Sequence, residues 1–273
     1  MKTSLIITTY NWPEALELSF RSVSRQVVLP DEVIVADDGS TPDTADLVRA
    51  WKRRLPTRVE HVWQEDRGFR LARSRNRAIA AASGDYIVLA DGDMVLDPNF
   101  IADHASAARH GFFVQGVRLL TGPRAAQRVL ADETQRFGFF SAGIRRRHHT
   151  IRNRFLSWLA YQPSHTNHKA IRGSNQAYWK IDLQRVNGFN EEMIGWGGED
   201  NELAQRLYNC GVRRKNLKFA ALAIHLHHAS RRPQGDSPNT KLLAATIDNK
   251  ARRCTVGLDQ HLTEPQQLAV GGN

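Results

Sequence analysis

Four short apolar runs set the rhythm of the first hundred residues: Leu5-Ile6-Ile7-Thr8-Thr9, Glu32-Val33-Ile34-Val35-Ala36, Val59 to Trp63, and Tyr86-Ile87-Val88-Leu89. Each is nearly continuous rather than alternating, which suits a strand covered on both faces in a parallel sheet. Between them, apolar positions recur at helical spacing. Glu14 to Gln26 carries Ala15, Leu18 and Val23 behind Pro13 at a first helical position. Thr44 to Lys52 reads as a second helix, and Ala72 to Ala82 as a third, with Ala and Ile inward and Arg outward. Strand-helix alternation at this spacing predicts right-handed βαβ units, hence an α/β fold. Beyond Pro98 the pattern predicts a helix over 99–110 and a strand over 112–120. Thr121 to Tyr161 has many charges and no clear period. A strand with a glycine kink follows over 171–179, then a turn at 187–190. A helix bears Leu203 and Leu207 on one face, a late strand covers 220–226, and a last helix spans 239–250 before a frayed, glycine-rich end. No repeat or linker cuts the chain, so 1–230 reads as one domain of two halves, 1–100 and 101–230, with 231–273 as a helical tail packed on it.

Chemistry collects where the strands end. In an open α/β sheet, ligands bind outside the carboxyl ends of the strands. The first run ends in Thr8-Thr9-Tyr10-Asn11, the second in Asp37-Asp38-Gly39-Ser40, and the fourth in Asp91-Gly92-Asp93. Asp38 is placed to accept the imide N–H of a pyrimidine, with the Thr8 backbone beside it. Alternate residues of an extended chain point the same way, so Asp91 and Asp93 converge, and hard carboxylate oxygens suit Mg²⁺ or Mn²⁺. Arg73 with Asn76, at a helix start, fits phosphate oxygens. Trp196-Gly197-Gly198-Glu199-Asp200 leads into a helix. The glycines permit unusual backbone angles and the indole can cover the apolar face of a sugar ring. His225-Leu226-His227-His228 ends the late strand and offers a further metal ligand from any of its three histidines.

Composition changes this picture in one respect. Lys and Arg total 38 against 28 Asp and Glu, a net charge of +10, which calls for an acidic partner. The basic residues do not interleave with aromatics as stacking platforms do, so no nucleic acid is expected. Arg145, Arg146, Arg147, Arg152 and Arg154 fit peripheral contact with an anionic membrane. Cys210 and Cys254 make neither a disulfide framework nor a metal spacing, which fits a cytoplasmic chain. There is no Gly-x-Gly-x-x-Gly after the first strand, no phosphate-binding P-loop, and no Gly-x-Ser-x-Gly.

The ordered set Leu5 to Asn11, Asp37 to Ser40, Arg73 with Asn76, and Asp91-Gly92-Asp93 resembles family 2 glycosyltransferases of the GT-A fold. The run from Trp196 to Leu203 resembles the acceptor-side motif of chondroitin-polymerase-like and galactosyltransferase-like enzymes. The resemblance covers roughly residues 3–100 and 170–230. It implies a single Rossmann-like, mostly parallel sheet flanked by helices, with 1–100 as the nucleotide-binding half and 101–230 as the acceptor half. It also implies an inverting transferase, using Mn²⁺ or Mg²⁺, that moves a sugar from a UDP-sugar to a hydroxyl of a saccharide or glycolipid in bacterial surface polysaccharide synthesis. In that reading Thr8, Tyr10, Asp38, Arg73 and Asp91 hold the nucleotide, and Asp93, Asp91 and His225 the metal. Trp196, Gly197 and Gly198 face the acceptor, Asp200 is the base, and Glu199 orients the acceptor beside it. A retaining transferase or a nucleotidyltransferase of the same fold would share the donor side, and charge alone would also fit a basic nucleic-acid-binding protein.

Overall fold

The computed structural model describes residues 1–132, 137–160, 163–164, 171–229 and 237–262. The glycine-rich end expected past the last helix, and parts of the expected tail, lie outside the described residues. Strands β1 (Thr3–Thr9), β2 (Glu32–Asp37), β3 (Arg58–Trp63) and β4 (Tyr86–Asp91) are the four apolar runs. Every residue of β1 and β2 is buried, as strands sandwiched by helices on both faces must be. The intervening helices are α1 (Pro13–Ser24), α2 (Pro42–Arg54) and α3 (Leu71–Ala81). Prolines open α1 and α2, where a missing N–H costs nothing.

The second half is shorter-grained: β5 (Met94–Leu96), α4 (Phe100–Ala107), β6 (Phe112–Gln115), β7 (Leu119–Thr121), α5 (Pro123–Ala131), β8 (Ile144–Arg145), α6 (Arg154–Leu159), β9 (Pro163–Ser164), β10 (Asn175–Trp179), α7 (Lys180–Val186), α8 (Glu199–Asn209), β11 (Arg213–Asn216), β12 (Ala223–His225) and α9 (Asn239–Asp248). The main sheet runs β3-β2-β1-β4-β10-β6-β11-β9. Its first four strands are mutually parallel, β10 runs antiparallel between β4 and β6, and β11 is parallel to β6. This is the mostly parallel sheet of the expected α/β architecture. A second sheet, β5-β12-β7-β8, was not foreseen.

That second sheet explains where the expected boundaries moved. The run 112–120 is two strands: β6 ends at Gln115 in the main sheet, and β7 begins at Leu119 in the other. Of the run 171–179 only Asn175–Trp179 pairs, and of 220–226 only Ala223–His225. The core lies on both faces of the main sheet. Leu5, Ile7, Phe20, Val35 and Phe100 pack on one, and Ile6, Ile34, Ile79, Leu203 and Leu258 on the other. Helix α9 packs on α8, where the Thr246 hydroxyl donates to Glu202 at 3.0 Å. No helix among the described residues is long and apolar enough to cross a membrane.

Candidate functional site

The ends of β2, β1 and β4 lie side by side along one edge of the main sheet, in the order Asp38, Thr8, Asp91. At the β2 end, the buried Asp38 carboxylate accepts from Gln64 Nε2 at 2.6 Å and from the Arg70 N–H at 2.9 Å. Burial raises its pKa, and those two donors pull it back only in part. A carboxylate has about four acceptor sites, so two stay open to a ligand. Arg73 does not reach Asp38 directly. It donates to Gln64 Oε1 at 3.1 Å, steadying the amide that holds Asp38, and faces Glu191 at 3.8 Å. Asn76 is not available to a phosphate. It is buried and pairs with the Phe189 backbone through both its amide ends, at 2.8 Å each. The Tyr10 hydroxyl donates to Asp66 at 2.8 Å.

A cavity of about 510 Å³ opens between Tyr10, Asp38 and Asp66 on one side and Phe69, Gly195 and Trp196 on the other. Trp196 is 43 % exposed, unusual for an indole, and lines the cavity. The backbone there explains the glycines: φ is +90° at Gly197 and +96° at Gly198, the left-handed region where a side chain is strained. Gly198 is the N-cap of α8, so Glu199 and Asp200 both lie in its first turn, whose free N–H groups favour carboxylates.

At the β4 end, Thr8 Oγ1 donates to Asp91 Oδ1 at 3.0 Å. The centre of this region is a residue the sequence reading passed over. Arg75, expected outward with the other arginines of α3, is 2 % exposed and turned into the core. Its guanidinium meets Asp200 at 2.9 Å, Glu199 at 3.4 Å and Asp91 at 3.4 Å, and lies over the Phe189 ring at 5.1 Å. Burial alone would lower its pKa; Asp200, Asp91 and Glu199 more than reverse this. Asp200 is further held by the Gly173 N–H at 2.6 Å. Glycine at 173 leaves these side chains in place: a Cβ there would stand 2.4 Å from Asp200 Oδ1 and 2.5 Å from Arg75 Nη2, so both would have to shift. Glu199 is pushed up to about 7, first by burial and then by the neighbouring Asp200 charge. The signal for Arg75 was present: it lies three residues after Ala72 and four before Ile79, on the apolar face of α3.

Asp93 sits apart from this group. One Asp93 oxygen, Oδ2, faces His225 Nε2 at 3.3 Å and His228 Nε2 at 3.1 Å, and the three side chains converge within 4.8 Å. The other, Oδ1, is buried with no hydrogen-bond partner among the described residues. Burial lowers the His225 pKa, with Asp93 opposing, which leaves the imidazole neutral as a ligand must be. One carboxylate and two imidazoles with an unsatisfied oxygen fit a divalent cation. The structure thus brings His225 and His228 to Asp93, leaves the exposed His227 out, and places Asp91 with Thr8 and Arg75 instead.

Of the basic run, Arg152 is committed internally, to Asp103 at 2.7 Å, while Arg145, Arg147 and Arg154 are exposed.

Comparison with known proteins bears on the family and the fold. Residues 4–168 match the model of glycosyl transferase family 2, and residues 155–229 match the model described as the N-terminal domain of galactosyltransferase. Validoxylamine A glucosyltransferase of Streptomyces hygroscopicus subsp. limoneus is 30 % identical over 237 residues, 77 % of this chain and 48 % of that protein. Chondroitin synthase of Escherichia coli is 28 % identical, across 81 % of this chain and 34 % of that one. The chain therefore spans half or less of these relatives. Among solved structures, S. aureus TarS in complex with UDP-GlcNAc superposes with a TM-score of 0.62 at 18 % identity, over 96 % of this chain and 69 % of that one. GalNAc-T7 with UDP, GalNAc and Mn²⁺ gives 0.64 at 15 %, over 90 % and 48 %. At these identities the structural likeness speaks for the GT-A fold alone.

Proposed function

The chain belongs to glycosyl transferase family 2, and from that premise we propose that it is an inverting transferase moving a sugar from a UDP-sugar to a hydroxyl of a saccharide or glycolipid acceptor. The carrying observation is Asp200: a carboxylate at the cleft end of α8, fixed by Arg75 and the Gly173 N–H, two residues after the Trp196-Gly197-Gly198 turn. That TarS was solved with UDP-GlcNAc, and GalNAc-T7 with UDP and GalNAc, supports a UDP-sugar donor. Uracil would take the free acceptor sites of Asp38, and Asp91, held by Thr8, would meet the ribose.

Asp200 takes the proton from the acceptor hydroxyl as its oxygen attacks the anomeric carbon on the face away from UDP. Arg75 aims that carboxylate while also holding Glu199 and Asp91 at the same site. Trp196 covers the acceptor ring, and Glu199, buried behind Asp200, acts on the acceptor only through its neighbours. A divalent cation held by Asp93, His225 and His228 would neutralise charge on the departing diphosphate. Two imidazoles favour Mn²⁺ over Mg²⁺, which prefers all-oxygen sites. Cytoplasmic placement and synthesis of surface polysaccharide belong to the same proposal. So does peripheral docking on an anionic membrane, now through Arg145, Arg147 and Arg154 with the exposed Phe155 and Trp158 beside them.

The test compares Asp200→Asn with wild type in transfer and in UDP affinity. General-base catalysis contributes about 10²–10⁴-fold, so kcat falls by that factor while UDP binding holds. Near-normal transfer by Asp200→Asn removes the base, and the inverting reading with it.

A further inference from the structure

Further along the same sheet edge is a constellation that the donor chemistry leaves unused. A cavity of about 230 Å³ is lined by Arg118, Arg146, His149, Arg172, Asn175 and Lys218, among others, and none of its described lining residues is acidic. Arg118 donates to Ser174 Oγ at 2.9 Å, yet its Nε is buried with no partner among the described residues. The guanidiniums feel one another. Burial and then Arg118 and Arg145 lower Arg146, and burial and then Arg146 and Arg118 lower Arg172. All the same they stay charged, because arginine does not deprotonate in proteins. The chain also accepts a left-handed backbone at Arg146, φ +59°, to bring it here. The turn is pinned by the His149 N–H on the Arg146 carbonyl at 2.8 Å, and the His149 ring meets the Arg118 carbonyl at 2.8 Å.

Position gives this cluster its meaning. Gln115 ends β6 and Asn216 ends β11, on the edge where Asp91 ends β4. Only β10 separates β4 from β6, so the two ends are about 10 Å apart at the usual strand spacing. Arg172 and Ser174 flank Gly173, whose N–H holds Asp200, so the wall of the cavity is the backbone that positions the base. The nucleotide end of the donor site, at Asp38, lies on the other side of β4. A crowded set of cations with no acid among the described residues lining it, beside the acceptor hydroxyl, fits an oxyanion on the acceptor, since forked guanidiniums recognise carboxylate and phosphate alike.

We propose that this pocket is an anion subsite of the acceptor site: Arg118, Arg146, Arg172 and Lys218 bind a carboxylate or phosphate carried by the acceptor sugar and so register its hydroxyl against Asp200. The inference rests on the transfer reading above and names its acceptor class as an acidic saccharide.

Methyl β-D-glucuronide, methyl β-D-glucoside 6-phosphate and methyl β-D-glucoside serve as probes, titrated by saturation-transfer NMR with and without UDP. One or both acidic glycosides should bind at least tenfold more tightly than the neutral one, and the preferred one tells carboxylate from phosphate. In an Arg146→Ala, Arg172→Ala double variant the three should converge, while Arg172→Lys retains part of the preference. Lys218 is exposed, so Lys218→Ala tests the same preference without disturbing the fold; it should weaken the acidic probes and not the neutral one. Equal binding of all three to the wild type overturns the subsite, as does a preference that survives both the double variant and Lys218→Ala. UDP that fails to bind the wild type counts against the donor reading instead, and the glycoside comparison stands regardless.

Discussion

Replacing Arg75 by methionine removes one charge and keeps most of the volume. The consequence follows from what surrounds it. Arg75 is 2 % exposed and lies within 3.4 Å of Asp200, Glu199 and Asp91, so Arg75→Met leaves three carboxylates facing one another without a counter-ion. Removing one partner of a buried ion pair costs about 3–5 kcal/mol. For a chain of this size, about 2 °C of Tm follows each kcal/mol, so Tm should fall by about 6–10 °C. Charge repulsion also gives the loss a pH signature. Carboxylates that lose their cation take up protons more readily, so the folded variant binds more protons than its unfolded chain. Its stability then falls as pH rises. The deficit against wild type should therefore be smaller at pH 5 than at pH 8. Arg75→Lys keeps the charge but cannot span three partners, so it should recover most of the stability and little of the transfer. Thermal unfolding from pH 5 to pH 8, run beside a glycosyl-transfer assay, reads all of this. A deficit that does not change with pH, or an Arg75→Met enzyme with full transfer, would refute the idea that Arg75 organises the three acids.

The metal site predicts that Asp93→Asn loses Mn²⁺ binding, read by electron paramagnetic resonance, together with transfer. Asp91→Asn should keep Mn²⁺ while losing transfer, and an Asp91→Asn protein that no longer binds Mn²⁺ would return Asp91 to the ligand set. Glu199 sits at about 7 when folded against an ordinary 4.5, so its contribution to stability is present below pH 4.5 and is lost as pH climbs through 7, on the order of 1–3 kcal/mol. Glu199→Gln should therefore raise Tm at pH 8 and leave it near wild type at pH 5; parallel profiles would mean that Glu199 is charged throughout. Flotation with anionic vesicles should show binding at low salt that disappears at high salt, since each exposed arginine near such a surface is worth about 1 kcal/mol and is screened; no binding at low salt ends the membrane idea.

The half of the chain that could be read residue by residue is the half whose strands are buried on both faces. Leu5-Ile6-Ile7 and Val33-Ile34-Val35 need no context to be recognised, because a sandwiched strand has no polar face to confuse the pattern. The acceptor half is built from strands of two to five residues, too short to show a period, and from two sheets that share one apolar run at 112–120. The site divides the same way. Asp38, Asp91, Asp93 and Asp200 were visible because they lie at strand or helix ends, where a motif is contiguous. Arg75 was hidden by its neighbours, three other arginines within five residues, each of them half-buried. Arg152 was grouped with the membrane-facing arginines because its partner Asp103 is 49 residues away. The cationic pocket draws on positions 118, 146, 172 and 218, which no spacing rule connects.

Net charge was the weakest clue while it was only a sum, and it becomes informative once the charges are placed. Arg75 and Arg206 are fully buried, and each is consumed by acids of this chain: Arg75 by Asp91, Glu199 and Asp200, Arg206 by Glu202 at 2.6 Å. Arg152 is spent on Asp103. These cations organise the fold and the base, and a partner never meets them. The excess is felt where arginines converge on a cavity that has no acid among its described lining residues, beside Asp200. A site that sets a negative cluster for proton removal next to a positive one can sort acceptors by charge before the hydroxyl reaches the base. In the negative cluster, Arg75 stands between the acids; in the positive one no described lining residue is acidic, and only Arg118 is seen to feel a nearby carboxylate, Asp91. The asymmetry is the physical ground for expecting the missing countercharge to arrive with the substrate.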